Sequence, residues 1–405
     1  MRYQTAKLGN HVQILSGFAF KSKDFSDEGV PVIKIKNVTP PSVSLIDLSY
    51  VSEEIAEKNK KFVLEYDDVL IALTGSHINQ MASVVGRVAR VKYSEKTVLN
   101  QRVGKITAIN PNDCDIDFVY YYLSQDQVKI ELASKAGGAA NQANISPTDI
   151  MNLMIPFPEI GVQRKISAVL RTYDDLIENN QKQIKLLEEA AQRLYKEWFV
   201  DLRFPGHETT PITDGIPEGW SQGVLGDVVV ESGRKISKDN REGYSYYLPI
   251  DCLPKKSLGY IATNEIALAE SSLVAFAPRD IIFGAMRPYF HKVVVARDSG
   301  ITRTTCFVLN TGNPAYWAYA VMLMFSSDTV DYATQISVGT TMPYTRWKDF
   351  KSMPIIVPSE ECAMAFGKEI DPIITKINGL AKQIVLLQQA RDRLLPKLMN
   401  GEIEV

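Results

Sequence analysis

Two long stretches of the chain carry apolar residues at a spacing of seven, with further apolar residues three positions later. This pattern is typical of the a and d positions of a coiled-coil helix. In the first stretch these positions hold Ile177, Ile184, Leu187, Ala191, Leu194 and Trp198. In the second they hold Ile377, Leu380, Ile384, Leu387, Arg391, Leu394 and Leu398. We predict two long helices that pair with each other along this stripe; packing of each helix on its own domain alone is the alternative.

Shorter hydrophobic segments precede each long stretch. Residues 31–36, 68–73 and 82–91 are rich in β-branched side chains and bounded by Gly, Asn or Pro, so they predict strands. Residues 117–123 and 315–323 have the apolar distribution of short helices. The chain is therefore expected to be of the α+β class, with mixed α/β globular parts that each lead into a long helix.

An internal repeat determines how these elements are organised. Residues 182–194 recur as residues 382–394, with eight of thirteen positions identical. The starts of the two copies align at a different offset, with Tyr3 over Trp220. We predict two similar globular domains, separated and joined by two long helices that pair as an antiparallel coiled coil. The predicted boundaries are 1–158 (domain 1), 159–202 (helix 1), 203–219 (extended linker), 220–358 (domain 2) and 359–405 (helix 2).

The length of the predicted helices suggests a role for them. A helix over residues 163–198 is about 54 Å long at about 1.5 Å per residue. Antiparallel pairing would place the two domains at opposite ends of this rod. Because half-sites on DNA recur at multiples of about 34 Å, such a rod suits a target of two half-sites with a fixed spacer. The domains differ in sequence, so we expect the half-sites to differ.

The net charge of the chain bears on its interpretation as a DNA-binding protein. The net charge is −2 and the pI is about 6.2, whereas DNA-binding proteins usually carry a basic excess that neutralises phosphates. Positive charge is then either concentrated on one face or supplied by partner subunits. The cysteines and histidines lack metal-ligand spacing, and no apolar run has the length of a membrane span. We expect no metal, no cofactor and a cytoplasmic location without membrane contact.

One segment comes close to a catalytic motif. Residues 313–316 read Asn-Pro-Ala-Tyr, whereas adenine methyltransferases have Asn-Pro-Pro-Tyr. No glycine-rich turn for a methyl donor precedes this segment, and the chain has no phosphate-binding loop. At the start of a predicted helix, Asn313 fits an N-cap and Pro314 the first turn. We therefore expect a chain without catalysis of its own.

Several short phrases occur in a characteristic order along the repeat. They are Gly137 to Ser146, Ile155-Pro156-Phe157-Pro158, Gln163-Arg164-Lys165-Ile166, Trp198-Phe199-Val200-Asp201, Ile216 to Trp220, Leu225-Gly226-Asp227, Gly339 to Tyr344, and Leu395 to Gly401. With the order domain–helix–domain–helix, the chain resembles the specificity subunits of type I restriction–modification systems. The second copy departs from the pattern with Tyr344 for Asn144, and with Glu361-Cys362-Ala363 for Gly161-Val162-Gln163. The start of its helix is left open by that change.

The resemblance implies a function and a set of partners. A specificity subunit is a non-catalytic protein that binds double-stranded DNA and two methyltransferase subunits, and through these the restriction (motor/endonuclease) subunits. In this family the complex methylates adenine in each half of a split target. Each domain is then expected to read one half-site, while the helices set the spacer and bind the methyltransferase subunits.

Candidate DNA contacts lie in loops that flank the predicted strands. Asn and Gln can pair with adenine and Arg with guanine, whereas Lys neutralises phosphate. In the first domain the candidates are Lys34, Lys36, Ser76, His77, Asn79, Gln80, Arg87, Gln101 and Arg102. In the second they are Arg287, Tyr289, His291, Lys292, Arg303 and Thr304. A rival hypothesis is a scaffold with two protein-binding modules and no DNA contact, which the acidic pI favours and the phrases of the resemblance oppose.

Overall fold

The structure is a computed structural model that describes residues 3–75, 85–136 and 143–405. The chain forms two compact units. Unit 1 comprises Met1–Asp174 and Gln389–Val405, and unit 2 comprises Asp175–Gln388. Each unit therefore takes one globular part together with segments of both long helices, and the domain boundaries drawn from the sequence remain a prediction. Among the described residues, no helix combines the length and the apolar character that a membrane crossing needs.

Unit 1 is built on a six-stranded sheet of order β2-β12-β8-β10-β6-β5 beside a four-stranded sheet of order β11-β4-β7-β3. Its strands are β1 (Thr5–Lys7), β2 (Val12–Ser16), β3 (Phe25–Ser26), β4 (Val30–Ile33), β5 (Val38–Thr39), β6 (Ser42–Val43), β7 (Ser49–Val51), β8 (Val69–Ala72), β9 (Thr74–Gly75), β10 (Val88–Arg90), β11 (Val98–Leu99), β12 (Val103–Ala108), β13 (Ala143–Asn144) and β14 (Met154–Pro156). Its helices are α1 (Glu53–Lys58), α2 (Ile116–Ser124), α3 (Asp126–Ser134), α4 (Pro147–Met151) and the first part of α5 (Ile160–Tyr195).

Unit 2 has a four-stranded sheet of order β18-β24-β21-β22 and a three-stranded sheet of order β19-β20-β23. Its strands are β15 (Ile212–Thr213), β16 (Ile216–Pro217), β17 (Ser221–Val224), β18 (Val229–Glu231), β19 (Arg234–Ile236), β20 (Leu273–Phe276), β21 (Ile281–Gly284), β22 (Val293–Val295), β23 (Gly300–Arg303), β24 (Cys306–Thr311) and β25 (Pro354–Val357). Its helices are α6 (Leu225–Val228), α7 (Trp317–Met324), α8 (Ser327–Gln335), α9 (Trp347–Phe350) and most of α10 (Glu360–Met399).

The two units share one strand arrangement. The order β2-β12-β8-β10 in unit 1 corresponds to β18-β24-β21-β22 in unit 2, and the antiparallel pair β1–β14 corresponds to β17–β25. The helix pair α2–α3 follows the sheet as α7–α8 does. The prediction of two similar mixed α/β domains is therefore confirmed.

Most of the predicted local structure is present. Strands β8 and β10 lie within the predicted segments 68–73 and 82–91, and β4 overlaps the predicted segment 31–36 but begins one residue earlier, at Val30. Residues 82–84 lie outside the described residues. The predicted strand 31–36 ends early at Ile33, because Asn37 Oδ1 accepts a hydrogen bond from the Lys34 backbone (3.1 Å) and starts a 3-10 turn. The helix predicted over residues 315–323 is α7, and it is preceded by a 3-10 turn (Pro314–Tyr316) that Asn313 caps, with Oδ1 accepting from the Ala315 N–H at 2.9 Å.

Different hydrogen bonds stabilise the N-terminal ends of the two long helices. Near the start of α5, the buried Gln163 side chain donates to the Pro158 carbonyl (2.8 Å) and accepts from the Asp115 N–H (2.9 Å). At the start of α10, the Ser359 hydroxyl instead accepts from the Cys362 N–H (3.2 Å). A serine cap thus replaces the missing glutamine, and the start that the sequence left open is at Glu360.

The two long helices pair antiparallel. Within unit 2, Asn180 Nδ2 donates to Gln383 Oε1 (3.3 Å), whereas Trp198 packs on Phe366 with ring centroids 5.4 Å apart. The C-terminal end of α5, with the turn that follows it, thus contacts the N-terminal part of α10, which confirms the predicted antiparallel direction. A π-helical turn, Lys196–Val200, follows α5 and buries Trp198 and Phe199.

The linker predicted as an extended connection contains a β-hairpin. Strands β15 and β16 pair around Asp214 and Gly215, both with positive φ (51° and 80°). An Asp-Gly pair in this conformation is a strong hairpin signal. The prediction of an extended chain was therefore wrong here, although the sequence carries the signal for the turn.

Candidate DNA-recognition surfaces

Three chain segments meet beyond the end of strand β8 in unit 1. The Leu73 N–H donates to the Arg102 carbonyl, and the Ile145 N–H donates to the Leu73 carbonyl, both at 2.9 Å. Next to this crossing, β9 and β13 pair with Thr74 opposite Asn144. We call the positions of Thr74, Arg102 and Asn144 the unit 1 junction. It brings together side chains that are far apart in the sequence.

The side chains of the unit 1 junction form a polar cluster. The buried Thr74 hydroxyl donates to Asn144 Oδ1 (2.8 Å). Arg102 Nη1 lies 3.4 Å from both the Thr74 hydroxyl and Asn144 Oδ1. The Arg102 side chain nevertheless remains exposed, as does its neighbour Gln101. The cluster therefore presents a cation at the surface that is oriented by two neutral acceptors.

Unit 2 contains the same backbone junction. The Ala285 N–H donates to the Thr305 carbonyl, and the Thr345 N–H donates to the Ala285 carbonyl, both at 2.9 Å. Met286 lies opposite Tyr344 in a β-bridge. We call the positions of Met286, Thr305 and Tyr344 the unit 2 junction. They correspond to Thr74, Arg102 and Asn144 in the unit 1 junction.

The side chains of the unit 2 junction have a different chemistry. Tyr344 donates from its hydroxyl to the Thr304 carbonyl (3.2 Å), and burial raises the pKa of Tyr344. The following Arg287 is half-buried and donates from Nη2 to the Thr341 carbonyl (3.2 Å). Its backbone N–H also donates to the Pro343 carbonyl (2.7 Å). Arg287 therefore stabilises the loop 339–344 as well as lining it.

A strained loop follows the unit 2 junction. Residues Pro288–Phe290 form a 3-10 turn between Arg287 and His291, which have φ values of 50° and 51°. Non-glycine residues in this left-handed region are uncommon and concentrate at functional sites. Tyr289, at the middle of the turn, is 49% exposed. The loop thus displays an aromatic ring at the surface.

His291 and Lys292 hold this loop in place and are not displayed on it. His291 is 6% exposed, its Nε2 lies 3.0 Å from the Phe325 carbonyl, and burial lowers its pKa. Lys292 is half-buried and donates from Nζ to the Ile250 carbonyl (2.7 Å). Neither side chain is available to a DNA surface, because the polar groups of both are directed at the protein. Arg303 and Thr304 are exposed, with Arg303 Nη2 3.4 Å from the Ser271 hydroxyl.

The remaining candidates of unit 1 fall in three places. Lys34 donates from Nζ to the Ser49 hydroxyl (2.9 Å) and lies 4.1 Å from the Phe25 ring centre, and burial, then the neighbouring Lys36, lower its pKa. Lys36 is exposed. Arg87 is half-buried, and its backbone carbonyl accepts a hydrogen bond from the Ala72 N–H. The Lys292 carbonyl accepts the equivalent hydrogen bond from the Gly284 N–H in unit 2. The candidates outside the described residues are Ser76, His77, Asn79 and Gln80.

The helix-pairing candidates lie in the cores of the two units. In unit 2 the buried ones, which share one cluster, are Ile177, Ile184, Ile377, Leu380 and Ile384. Partly buried against the same cluster are Leu187, Leu194 and Leu387. Leu394 packs against the core of unit 1.

Sequence reasoning missed the polar contacts of the long helices. Arg391, which interrupts the apolar stripe, donates to Asp174 (2.6 Å) in unit 1, and the Tyr121 hydroxyl donates to the same carboxylate (2.7 Å). In unit 2 the buried Glu188 accepts from the Ser257 hydroxyl and the Leu258 N–H, both at 2.7 Å. For Arg391 the available signal was its place inside the heptad stripe, because a charged residue needs a partner when it is buried. Glu188 lies next to the stripe and gave no such signal.

The described part of the chain contains neither a cluster of metal ligands nor a thiol with a lowered pKa. No group of three His, Cys, Asp or Glu side chains there could hold a metal ion. The four cysteines are free thiols, and burial raises the pKa of Cys114 to about 12 and that of Cys306 to about 11.

Comparisons with known proteins agree with this architecture. Residues 2–189 match the family model described as the type I restriction modification DNA specificity domain. The chain is 28% identical over 384 residues to the type I restriction enzyme MjaIX specificity subunit of Methanocaldococcus jannaschii, covering 91% of this chain and 86% of the relative. It is 21% identical to the type I restriction enzyme HindI specificity subunit of Haemophilus influenzae, covering 67% and 73%.

A solved structure shares the fold along nearly the whole chain. The crystal structure of the type I restriction-modification system S subunit from M. genitalium superposes with a TM-score of 0.61 at 16% identity, covering 98% of this chain and 96% of that one. The sequence matches and the repeated domain–helix order lead to the same assignment. Over most of its length, the chain is therefore similar to the DNA specificity subunits of type I restriction–modification systems.

Proposed function

We propose that this chain reads a bipartite DNA sequence for a type I restriction–modification complex, each globular part contacting one half-site. The observation that carries the proposal is the repeated junction. One backbone arrangement recurs in both units and displays Thr74, Arg102 and Asn144 in one but Met286, Thr305 and Tyr344 in the other. One backbone arrangement that displays different side chains in the two units is suited to the recognition of two different DNA sequences.

The proposed contact surface combines groups that read bases with groups that bind phosphate. Side chains at base edges determine sequence, while phosphate contacts set position. In unit 1 the surface comprises Lys36, Gln101, Arg102 and Asn144, together with the residues predicted from the sequence, which are Ser76, His77, Asn79, Gln80 and Arg87. In unit 2 it comprises Arg287, Tyr289, Arg303 and Thr304. With a net charge of −2, further phosphate neutralisation falls to the partner subunits.

The long helices are proposed to hold two methyltransferase subunits and to set the spacer between the half-sites. Leu186 and Leu386 are equivalent in the repeat, and they are 63% and 56% exposed. Exposed leucines at equivalent positions of the two helices are consistent with the binding of two copies of the same partner. The chain itself supplies no catalytic step, and restriction subunits join through the methyltransferase.

One experiment tests both the readers and the spacer. Residues 220–358 are replaced by those of a relative that keeps Tyr319, whose hydroxyl donates to the Ile356 carbonyl (2.7 Å) and whose ring lies 4.8 Å from Phe199. The complex with the methyltransferase then methylates a genomic or plasmid DNA, and methylated bases are mapped. We expect one half-site to change while the other half-site and the spacer length stay the same.

The control is the unaltered chain with the same methyltransferase. A change in both half-sites, or in neither, contradicts the assignment of one reader to each globular part. A changed spacer contradicts the role of the helices, because both remain intact in this variant. A complex that shows no salt-dependent, sequence-dependent binding to DNA would favour the protein-binding scaffold instead, since phosphate contacts are strongly salt-dependent.

A further inference from the structure

We infer that Arg102 reads a guanine in the half-site of unit 1, with Thr74 and Asn144 as positioning residues that orient its guanidinium. This inference rests on the proposed DNA-reading function and specifies one base within it. Arg102 occupies an exposed position in the unit 1 junction, whereas the equivalent residue of unit 2, Thr305, is neutral.

The backbone of Arg102 is held on both sides. Its carbonyl accepts from Leu73, and the preceding Gln101 N–H donates to the Phe18 carbonyl, both at 2.9 Å. Strand β12 begins at the next residue, Val103, and lies between β2 and β8 in the six-stranded sheet. The sheet therefore fixes the backbone position of Arg102. Binding then costs less conformational entropy than it would for an arginine on a flexible loop.

The guanidinium is oriented from one side. Arg102 Nη1 faces the Thr74 hydroxyl and Asn144 Oδ1 at 3.4 Å, and the Thr74 hydroxyl proton is directed at the same Asn144 oxygen (2.8 Å). Both acceptors are neutral, so they orient the cation without cancelling its charge. An acidic partner in their place would compete with the DNA for the same donors.

The chemistry of the exposed group selects guanine among the bases. Guanine presents two acceptors, O6 and N7, side by side in the major groove, and the planar fork of arginine matches them with two parallel N–H groups. Adenine offers a donor where guanine has O6, so the same fork pairs poorly with it. A phosphate is the other acceptor on DNA that an exposed arginine can meet, and the experiment separates it from guanine.

The test uses the full chain in complex with its methyltransferase and a pool of randomised duplex DNA. The wild type, Arg102→Ala, Arg102→Lys and the control Lys58→Ala are each used to select bound sequences. Lys58 is an exposed cation on α1 that pairs with Glu54, so its removal changes the charge of unit 1 by the same amount and leaves the three junction residues in place. We expect both Arg102 variants to lose preference for guanine at one position of one half-site, by roughly 5- to 150-fold.

Two further measurements distinguish base reading from phosphate binding and from misfolding. Replacing that guanine by 7-deazaguanine removes the N7 acceptor; it should weaken the wild type and leave the affinity of Arg102→Ala unchanged. Thr74→Val should reduce guanine preference, and Thr74→Ser, which keeps the hydroxyl, should restore it. Both readouts concern one base position, which a general loss of folding does not affect selectively.

The outcomes separate this inference from the proposed function. Weakening of all sequences to the same extent by Arg102→Ala means that Arg102 binds phosphate, and overturns the inference. An unchanged base preference in both Arg102 variants overturns it as well. If the wild-type complex selects no bipartite sequence at all, the proposed function itself is wrong.

Discussion

The two units build the same sheet order and the same junction with opposite side-chain chemistry. In unit 1 a network of ion pairs accompanies the apolar contacts between the globular part and the long helices, whereas in unit 2 an aromatic cluster joins them. Backbone hydrogen bonds are equivalent in both junctions. The comparison shows that the backbone contacts define this architecture, and that its side chains can diverge widely around them.

The charged connection of unit 1 is a network of ion pairs. Asp117 accepts from Arg90 and from Arg171 of α5, both at 2.7 Å. Asp67 accepts from Lys92 at 2.9 Å and also from Arg171. Burial raises the pKa of Asp67, but these hydrogen bonds outweigh burial and hold its pKa below the ordinary range. Arg391 and Asp174 extend the charged contacts to α10.

The apolar connection of unit 2 is an aromatic cluster. Phe366 of α10 is fully buried, and its ring centre lies 4.8 Å from that of Phe199 and 5.4 Å from that of Trp198. Phe199 also packs on Tyr319 of α7 at 4.8 Å. Edge-to-face contacts of this kind add to the free energy of burying the rings.

The largest effect is expected from Phe366→Ala. Removing a fully buried ring leaves a cavity and costs about 3–5 kcal/mol of the free energy of unfolding. Urea denaturation measures the total loss, and hydrogen exchange with peptide resolution shows where protection falls. We expect the loss within unit 2, and Phe366→Leu should retain most of the stability. Equal loss of protection in the sheet of unit 1 would mean that the aromatic cluster supports both units.

A smaller loss, about 3 kcal/mol, is expected from Asp174→Ala, which removes one partner of a largely buried ion pair. The change leaves the Tyr121 hydroxyl without its acceptor, and Arg391 keeps only the exposed Asp392 as a partner. Replacing both charges, as Asp174→Leu with Arg391→Leu, should recover much of this loss because no unpaired charge remains. The same denaturation measurements on Asp174→Leu and Arg391→Leu alone complete a double-mutant cycle. Additive losses from the two single variants would show that the pair is not coupled.

The smallest effect concerns Glu188, the carboxylate that departs from the apolar character of unit 2. Burial raises its pKa, and hydrogen bonds from Ser257 and Leu258 offset this only in part. A folded-state pKa above the unfolded value means that the folded protein binds this proton more strongly. Stability from this group is thus present at acidic pH and lost as pH rises through the folded pKa.

Glu188→Gln should therefore flatten the stability curve above the ordinary carboxyl range and raise stability at neutral pH. Urea denaturation between pH 4 and pH 8 measures the difference from wild type. Asp67→Asn in unit 1 is the matched comparison, because its lowered pKa gives the opposite slope. A steeper fall of stability toward neutral pH in Glu188→Gln would contradict a raised pKa for this carboxyl in the folded protein.

The periodic features of the fold could be predicted from the sequence. Heptad spacing and the repeat predict the long helices, their direction and the duplication, because each depends on regular positions along the chain. Asn313 is recognisable as a helix cap for a related reason, since a cap is local. The start of α10 could not be predicted, because Ser359 takes the role that Gln163 has in the first copy, where the second copy has Ala363.

The candidate site could be predicted only in outline. Residue types near strand ends indicate Arg102 and Tyr289, but the sequence does not show which polar side chains fold inward, as those of His291 and Lys292 do. The junctions could not be predicted, because Thr74 and Asn144 are separated by 70 residues and meet only through the sheet. Arg391 interrupts the helix stripe, and its charged partner lies too far away in sequence to be recognised from the pattern.

The discontinuity of unit 1 has a consequence for the exchange of genes between relatives. A crossover anywhere between residues 174 and 389 yields a hybrid whose unit 1 takes its sheet from one parent and its last segment from the other. Arg391 and Leu398 must then fit Asp174 and the core supplied by a different ancestor. We expect hybrids that inherit an acidic residue at position 174 together with a basic one at 391 to persist in populations, however different the target sequences of their parents.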